Sequence, residues 1–232
     1  MKVVINEKLV SRNKKIGQYT TIGSLVILAA GLFASFNVQY INYSFVALII
    51  GFITSQVGIF YGNKWGRSPR PDEKITQGLK GIGDKYTVYH YVTSVSHLLV
   101  GPGGIFVLLP YSQGGTIYYD QNKKRIRQKG GNLYLKIFAQ ESLGRPDDDA
   151  ISNQGRADTF MRKLIKDIEL PDAESILVFT NPKAIVQCED SPITALHITK
   201  LKDYIRRKIK ENALTLEVSS LIQKSLPTET ES

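Results

Sequence analysis

The sequence predicts an α/β protein: an N-terminal two-helix transmembrane hairpin followed by an α-β-β-β-α-β domain. Three observations predict it. Residues 16–63 contain no Asp, Glu, Lys or Arg, which leaves room for two apolar helices of roughly 20 residues each. Residues 92–119, VTSVSHLLVGPGGIFVLLPYSQGGTIYY, alternate β-rich segments with breaks bearing Gly, Pro or Ser, the pattern of a three-stranded meander with a buried middle strand. Ala157, Phe160, Met161, Leu164, Ile165 and Ile168 then recur at the spacing of one helix face, shortly before the apolar run SILVFT at 175–180.

With 232 residues, 42% hydrophobic and 22% charged, the chain is long enough for one packed domain and a smaller appendage. The single cysteine, Cys188, excludes an intrachain disulfide and leaves no thiol pair for metal or redox chemistry. Formal net charge is +9, carried as +4 over 1–15, none over 16–63, +7 over 64–129 and −2 over 130–232. The excess brackets the uncharged block, as charge flanking membrane spans does, and is not spread over the chain as in a protein coated with cations for nucleic acid.

Taken in order, residues 1–15 read as a basic tail with Lys2, Lys8, Arg12, Lys14 and Lys15. The spans are placed at 16–36 and 43–61, joined by a short polar turn, with Tyr40 and Tyr43 at the interface. A cleaved signal peptide competes for the first segment, but a signal core runs about 7 to 15 residues and is not followed by a second span. Basic residues precede the hairpin, and Lys64, Arg67 and Arg70 follow it, with none in the connecting loop. That asymmetry predicts a multi-pass protein of the cell membrane with both termini in the cytoplasm. Ala30 with Ala34, Gly31 with Ser35, and Gly51 with Ser55 are small pairs at four-residue spacing, suited to close helix approach or to self-association. Gln56 is expected to make an interhelical hydrogen bond.

The linker, residues 64–71, holds Trp65, Pro69 and Pro71. A helix is expected over 72–82, with Ile75, Leu79 and Ile82 on one face, then a first strand at 85–91. Strands at 95–100, 105–109 and 116–119 form the meander, its first reversal at Gly101, Pro102, Gly103 and Gly104. Residues 121–131 read as a polar turn and 132–153 as irregular, with Pro146 and three aspartates at 147–149. The helix over 157–168 and the strand at 175–180 follow, then a shorter strand at 195–199, paired with it through the loop containing Cys188. Leu201, Tyr204, Ile205 and Ile209 mark another amphipathic helix with Arg206, Arg207, Lys208 and Lys210 on its polar side. Residues 215–226 extend the helical part, and 227–232 are expected to be disordered.

That order, with a Glu-bearing first helix, the strand pair VSHLLVGPGGIFVL and the later ILVF strand, resembles the nuclease-related domain called NERD, of the restriction-endonuclease-like PD-(D/E)xK superfamily. The resemblance covers roughly 70–207, within a domain placed at 72–210, with 211–232 as a C-terminal helix and tail. It implies two carboxylates holding Mg²⁺ beside a scissile phosphate and a lysine orienting the attacking hydroxide. Carried over by position, the helix glutamate is Glu73, the strand aspartate falls at Ser96 beside His97, the strand glutamate at Leu109 and the lysine at Tyr111. Ser, Leu and Tyr replace two hard anionic ligands and a cation. The resemblance therefore implies a membrane-anchored, catalytically silent member of the family, without metal, acting as a binding or assembly module. An active Mg²⁺-dependent nuclease with displaced carboxylates, Asp84 and Asp120 being first in line, is the alternative; a structural subunit of a membrane complex is a third reading.

Lys123, Lys124, Arg125, Arg127 and Lys129 follow Tyr118 and Tyr119. Such a cluster suits a solvated turn, contact with anionic lipid, or contact with nucleic acid. The Gly101 to Gly104 turn lacks the Gly-Lys-Ser or Gly-Lys-Thr ending of a phosphate loop. No pattern of metal ligands, nucleophile or dinucleotide binding appears elsewhere, and the protein partner is not named by the sequence.

Overall fold

The computed structural model describes residues 1–131, 142–166, 168, 170–211 and 214–227. The apolar piece at 132–141 and the tail from 228 lie outside them. Two units emerge, one comprising residues 7–70 and the other residues 1–6 with the chain from Pro71 onward.

In the first unit, helix α1 (Glu7–Ser35) and helix α2 (Ile41–Tyr61) are joined by a 3₁₀ turn, Val38–Tyr40. Asn37 caps this turn, its side chain accepting the Gln39 N–H at 3.0 Å. A wide helical turn, Gly62–Gly66, ends the unit's helical part. Lys8, Arg12, Lys14 and Lys15 therefore ride on the first turns of α1, and its uncharged remainder is about 30 Å long at 1.5 Å per residue. Glycines set the helix approach. A Cβ at Gly31 would stand 2.8 Å from the Ala47 Cβ, one at Gly51 2.7 Å from Leu28 Cγ, and one at Gly58 2.5 Å from Thr21 Oγ1. Of the small pairs expected to bring helices together, Gly31 and Gly51 thus serve the contact within the hairpin, whereas Ala30 and Ser35 are exposed. Both helices are long and apolar enough to cross a membrane. Only 17% and 11% of their most apolar windows is buried, and Phe33, Phe45, Phe52 and Ile53 face outward.

The second unit is a mixed α/β fold with two sheets. Six strands, β1 (Lys2–Ile5), β2 (Thr87–His90), β3 (His97–Gly101), β4 (Gly104–Tyr111), β7 (Glu174–Phe179) and β9 (Thr194–His197), lie side by side in that order. Only β3 runs against the others. A second sheet has β5 (Gly115–Asp120) between β6 (Arg125–Lys129) and β8 (Ala184–Gln187). The helices are α3 (Pro71–Gly78), α4 (Pro146–Leu164), α5 (Ile198–Glu211) and α6 (Leu216–Ser225).

Strand alternation divides the core. Tyr89, Leu98, Val100, Ile105 and Val107 pack with Ala157 and Met161 of α4 and Ile222 of α6. On the opposite face Val88, Leu99, Phe106, Leu108, Ile176 and Val178 pack with Ile75 and Leu79, and with Leu201 and Ile205 of α5. A third cluster joins the sheets through Ile117, Ile126, Leu177, Phe179 and Cys188. Burial and the neighbouring Glu189 and Asp147 carboxylates push the Cys188 thiol up to about 11.

Four expectations change. The 1–15 segment contains β1, whose four residues pair in parallel with β2; so short a strand has no readable periodicity. The three-stranded meander does not form, because the far side of β4 is occupied by parallel β7 and β5 joins the second sheet. The polar turn at 121–131 shrinks to 121–124, and the basic residues after it form β6. Finally, α4 begins at Pro146, eleven residues before the expected helix. Proline suits the first helical position, and Asp147, Asp148 and Asp149 meet the positive end of the helix dipole. The helix ends at Leu164, so Ile165 and Ile168 pack on the core from beyond it.

Candidate functional site

Five parallel strands present their carboxyl ends together, the end at which open α/β sheets collect ligands. His90 closes β2, Tyr111 closes β4, and antiparallel β3 begins there with His97. Local sequence explains the placement: the β2 to β3 connection folds tightly, with the Tyr91 N–H donating to the Ser96 carbonyl at 2.8 Å. Tyr91 adopts φ 62°, a left-handed conformation that non-glycine residues hold only when their surroundings enforce it.

This connection stands His90 directly across from His97. Their Nδ1 atoms are 2.8 Å apart, one as donor and the other as acceptor, and both residues are buried. Thr76 Oγ1 lies 2.9 Å from His90 Nε2. The Tyr91 hydroxyl donates to Asp72 Oδ1 at 3.4 Å, and the Tyr91 and His97 rings meet edge to face with centroids 4.9 Å apart. Asp72 is 2% exposed, on the first turn of α3. The network therefore ties α3 to β2 and β3. The Gln113 Oε1 is the one buried side-chain polar atom without a partner among the described residues, so the histidine network is satisfied, as buried polar groups must be to avoid a desolvation penalty.

The residues singled out by position fall as follows. Ser96 and His97 stand at the start of β3, and Leu109 and Tyr111 at the end of its antiparallel neighbour β4, hence at one end of the sheet. Glu73 is half-buried on the first turn of α3, beside Asp72. Leu109 packs against two core clusters. The Tyr111 ring stacks on Phe179 at 5.6 Å, and its hydroxyl donates to Asp149 Oδ2 at 2.8 Å. Burial, the Asp149 hydrogen bond and the Asp149 and Asp147 charges raise its pKa far above the ordinary phenol range.

The displaced carboxylates do not join this end. Asp84 is exposed and meets the Met1 amino group at 2.9 Å, whose hydrogen bond and charge hold its carboxyl below the usual range. Asp120 belongs to the second sheet, where the Lys123 N–H and the Arg127 guanidinium hold its carboxyl low. Among the described residues no group of three or more His, Cys, Asp or Glu is placed to hold a metal ion.

Sequence reading overlooked Asp72, Thr76, His90 and Tyr91. The four-residue spacing of Asp72 and Thr76, which puts them on one helix face, was the available signal; the His90 to His97 pairing needed the strand register. His97→Leu is expected to cost about 1–3 kcal/mol by leaving the His90 Nδ1 buried without its partner. His90→Leu should cost a similar amount, and the double variant clearly less than the sum, with a coupling of about 1 kcal/mol. Urea unfolding of the full chain in detergent, followed by circular dichroism, measures the cycle; strict additivity would show that the imidazoles do not depend on each other.

No protein-family model matches the chain, and neither a curated protein nor a solved structure shows significant similarity to it. What the fold defines is a mixed α/β unit with two sheets, joined to a pair of long apolar helices.

Proposed function

We propose that this chain is a membrane-anchored module with a cytoplasmic, nuclease-related α/β core that binds or assembles without cleaving. The observation that carries the reading is the commitment of Leu109 and Tyr111 to packing, at the positions where the family resemblance calls for a glutamate and a lysine. A leucine side chain offers no lone pair to Mg²⁺, and a phenol kept neutral by burial and by the Asp149 and Asp147 carboxylates cannot stand in for a cation. Along the chain α3 is followed by β2, β3, β4, β5 and β6, then by α4 and β7, with β7 parallel to β4; a helix, a run of strands, a helix and a strand in that sequence support the reading, with β5 and β6 as additions to it.

Anchoring is supported by the outward-facing apolar side chains of α1 and α2, a distribution that water penalises and lipid accommodates. Cations before and after the hairpin, and none in its turn, favour cytoplasmic ends.

The test uses the full chain in nanodiscs, because β1 comes from residues 2–5 and a fragment starting after the hairpin lacks that strand. Incubated with Mg²⁺ and single- or double-stranded DNA or RNA, it is expected to cleave no more than empty discs do. Mg²⁺-dependent cleavage that disappears in Glu73→Ala overturns the proposal in favour of an active nuclease. A topology reporter at Gly66 that is found outside the cytoplasm overturns the orientation.

A further inference from the structure

Two basic clusters lie beyond the linker, on α5 and on the β5–β6 hairpin, and they differ in what their charges do. On α5, Arg206 donates to the Gly81 carbonyl at 2.8 Å and faces Asp203 at 3.8 Å. Lys208 meets Glu174 at 3.2 Å, and Arg207 lies over the Tyr204 ring at 5.6 Å. These cations hold the helix onto its surroundings. On the β5–β6 hairpin, among the described residues, only Arg127 is so engaged, with Asp120 at 3.1 Å. Lys123, Lys124, Arg125 and Lys129 are exposed and have no carboxylate partner among the described residues.

Strand register organises the charges. Arg125, Arg127 and Lys129 lie across from Asp120, Tyr118 and Thr116, on one face of the second sheet. Ile117 and Ile126 point the other way, into the core. Lys123 and Lys124 sit in the turn, where Lys124 takes φ 47° to reverse the chain. The cations therefore run from the turn along one face of β6. Binding a nucleic-acid strand calls for open aromatic faces on which bases stack, but Tyr119 packs on the third core cluster and Tyr118, across from Arg127, is half-buried. An anionic bilayer surface asks only for accessible cations.

We propose that the 120–129 hairpin docks on anionic lipid headgroups of the same bilayer that holds the apolar helices. The inference rests on the anchored reading given above. Tethering supplies proximity, so each uncommitted cation adds roughly fivefold to the docked population when the lipid is anionic.

The experiment places a fluorophore at the hairpin turn through Asn122→Cys in the full chain; residue 122 is exposed. Cys188 is retained, since its buried, protonated thiol labels slowly, and a Cys188→Ser background serves as control. The protein is reconstituted into nanodiscs of phosphatidylcholine alone or of an equimolar mixture with phosphatidylglycerol, each with an acceptor dye on a headgroup. Energy transfer is expected to be higher in the anionic discs. It should fall to the neutral-disc level in high salt, and likewise when Lys123, Lys124, Arg125 and Lys129 are all changed to Ala. Equal transfer in both lipids overturns the proposal. So does transfer insensitive to lipid charge together with single-stranded DNA binding that the four substitutions abolish, which would assign the hairpin to nucleic acid. A chain that fails to enter the discs at all refutes the anchored reading instead.

Discussion

Gly101→Val is expected to unfold the sheet-bearing unit. A Cβ at residue 101 would stand 2.1 Å from Tyr86 Cδ1 and 2.4 Å from Cε1, inside any permitted contact. The ring has nowhere to go. Tyr86 is 2% exposed within the core that also contains Val88, Leu99 and Phe106, and its hydroxyl accepts the Gly103 N–H at 3.2 Å. Overpacking a filled core costs about 1–3 kcal/mol when neighbours can shift; here the neighbour is pinned at both ends, so the loss should exceed about 3 kcal/mol, a large share of a typical domain's stability. Gly101→Ala should show the same clash in milder form. In a Tyr86→Ala background, itself costly through the cavity it leaves, Gly101→Ala should add little. Urea unfolding of the four proteins would decide the matter, and a Gly101→Ala penalty that is unchanged without the Tyr86 ring would refute the steric account.

The second large effect is expected in the hairpin. Gly31→Leu sets its new Cβ 2.8 Å from the Ala47 Cβ, a methyl fixed rigidly to the α2 backbone, so the helices themselves must part. Close approach is what small residues provide between helices in lipid, where no hydrophobic driving force compensates for lost packing. Proximity can be read by cross-linking. A Cβ at Gly51 would lie 2.7 Å from Leu28 Cγ, so the pair Leu28→Cys with Gly51→Cys should oxidise readily to a disulfide. Adding Gly31→Leu should slow that cross-link by roughly tenfold, in keeping with the steep distance requirement of the bond. An unchanged rate would mean that the helices do not meet along this seam.

Several features were legible because their signals are local. The uncharged run fixes a pair of apolar helices, and α2 ends at Tyr61, the expected last residue. Pro102 and Gly103 make the tight reversal, with Gly101 and Gly104 paired on either side and Gly104 at φ 130°. In the strand expected at 85–91, Tyr86 and Val88 pack into one core and Tyr89 into the opposite one, as alternation along a strand requires. Leu201 and Ile205 point inward from their amphipathic helix, as their spacing requires. By contrast β1, β6 and β8 are four or five residues long and charged, mixed or isolated in composition, and each becomes a strand only when a partner is supplied.

The candidate site was legible by position and not by contact. Ser96, His97, Leu109 and Tyr111 were placed by carrying the family resemblance over, position by position, onto two strands. That Tyr111 is satisfied by Asp149, 38 residues away, depended on where α4 begins. That His97 is held by His90 depended on the register across a six-residue connection, 91–96.

By itself the sequence determined the helix pair, the existence of the longer strands and of the amphipathic helices, the turn at residues 101–104 and the side chains available at the sheet's carboxyl end. Those follow from periodicity, charge and the backbone preferences of Gly and Pro, which act within a few residues. Only the tertiary structure decided that β1, on the far side of the hairpin in sequence, completes the sheet, that β7 displaces β5 beside β4, and that two histidines share a buried hydrogen bond. Strand pairing is non-local: an edge accepts whichever partner gains most from hydrogen bonding and burial, and that competition is settled only when all the segments are present.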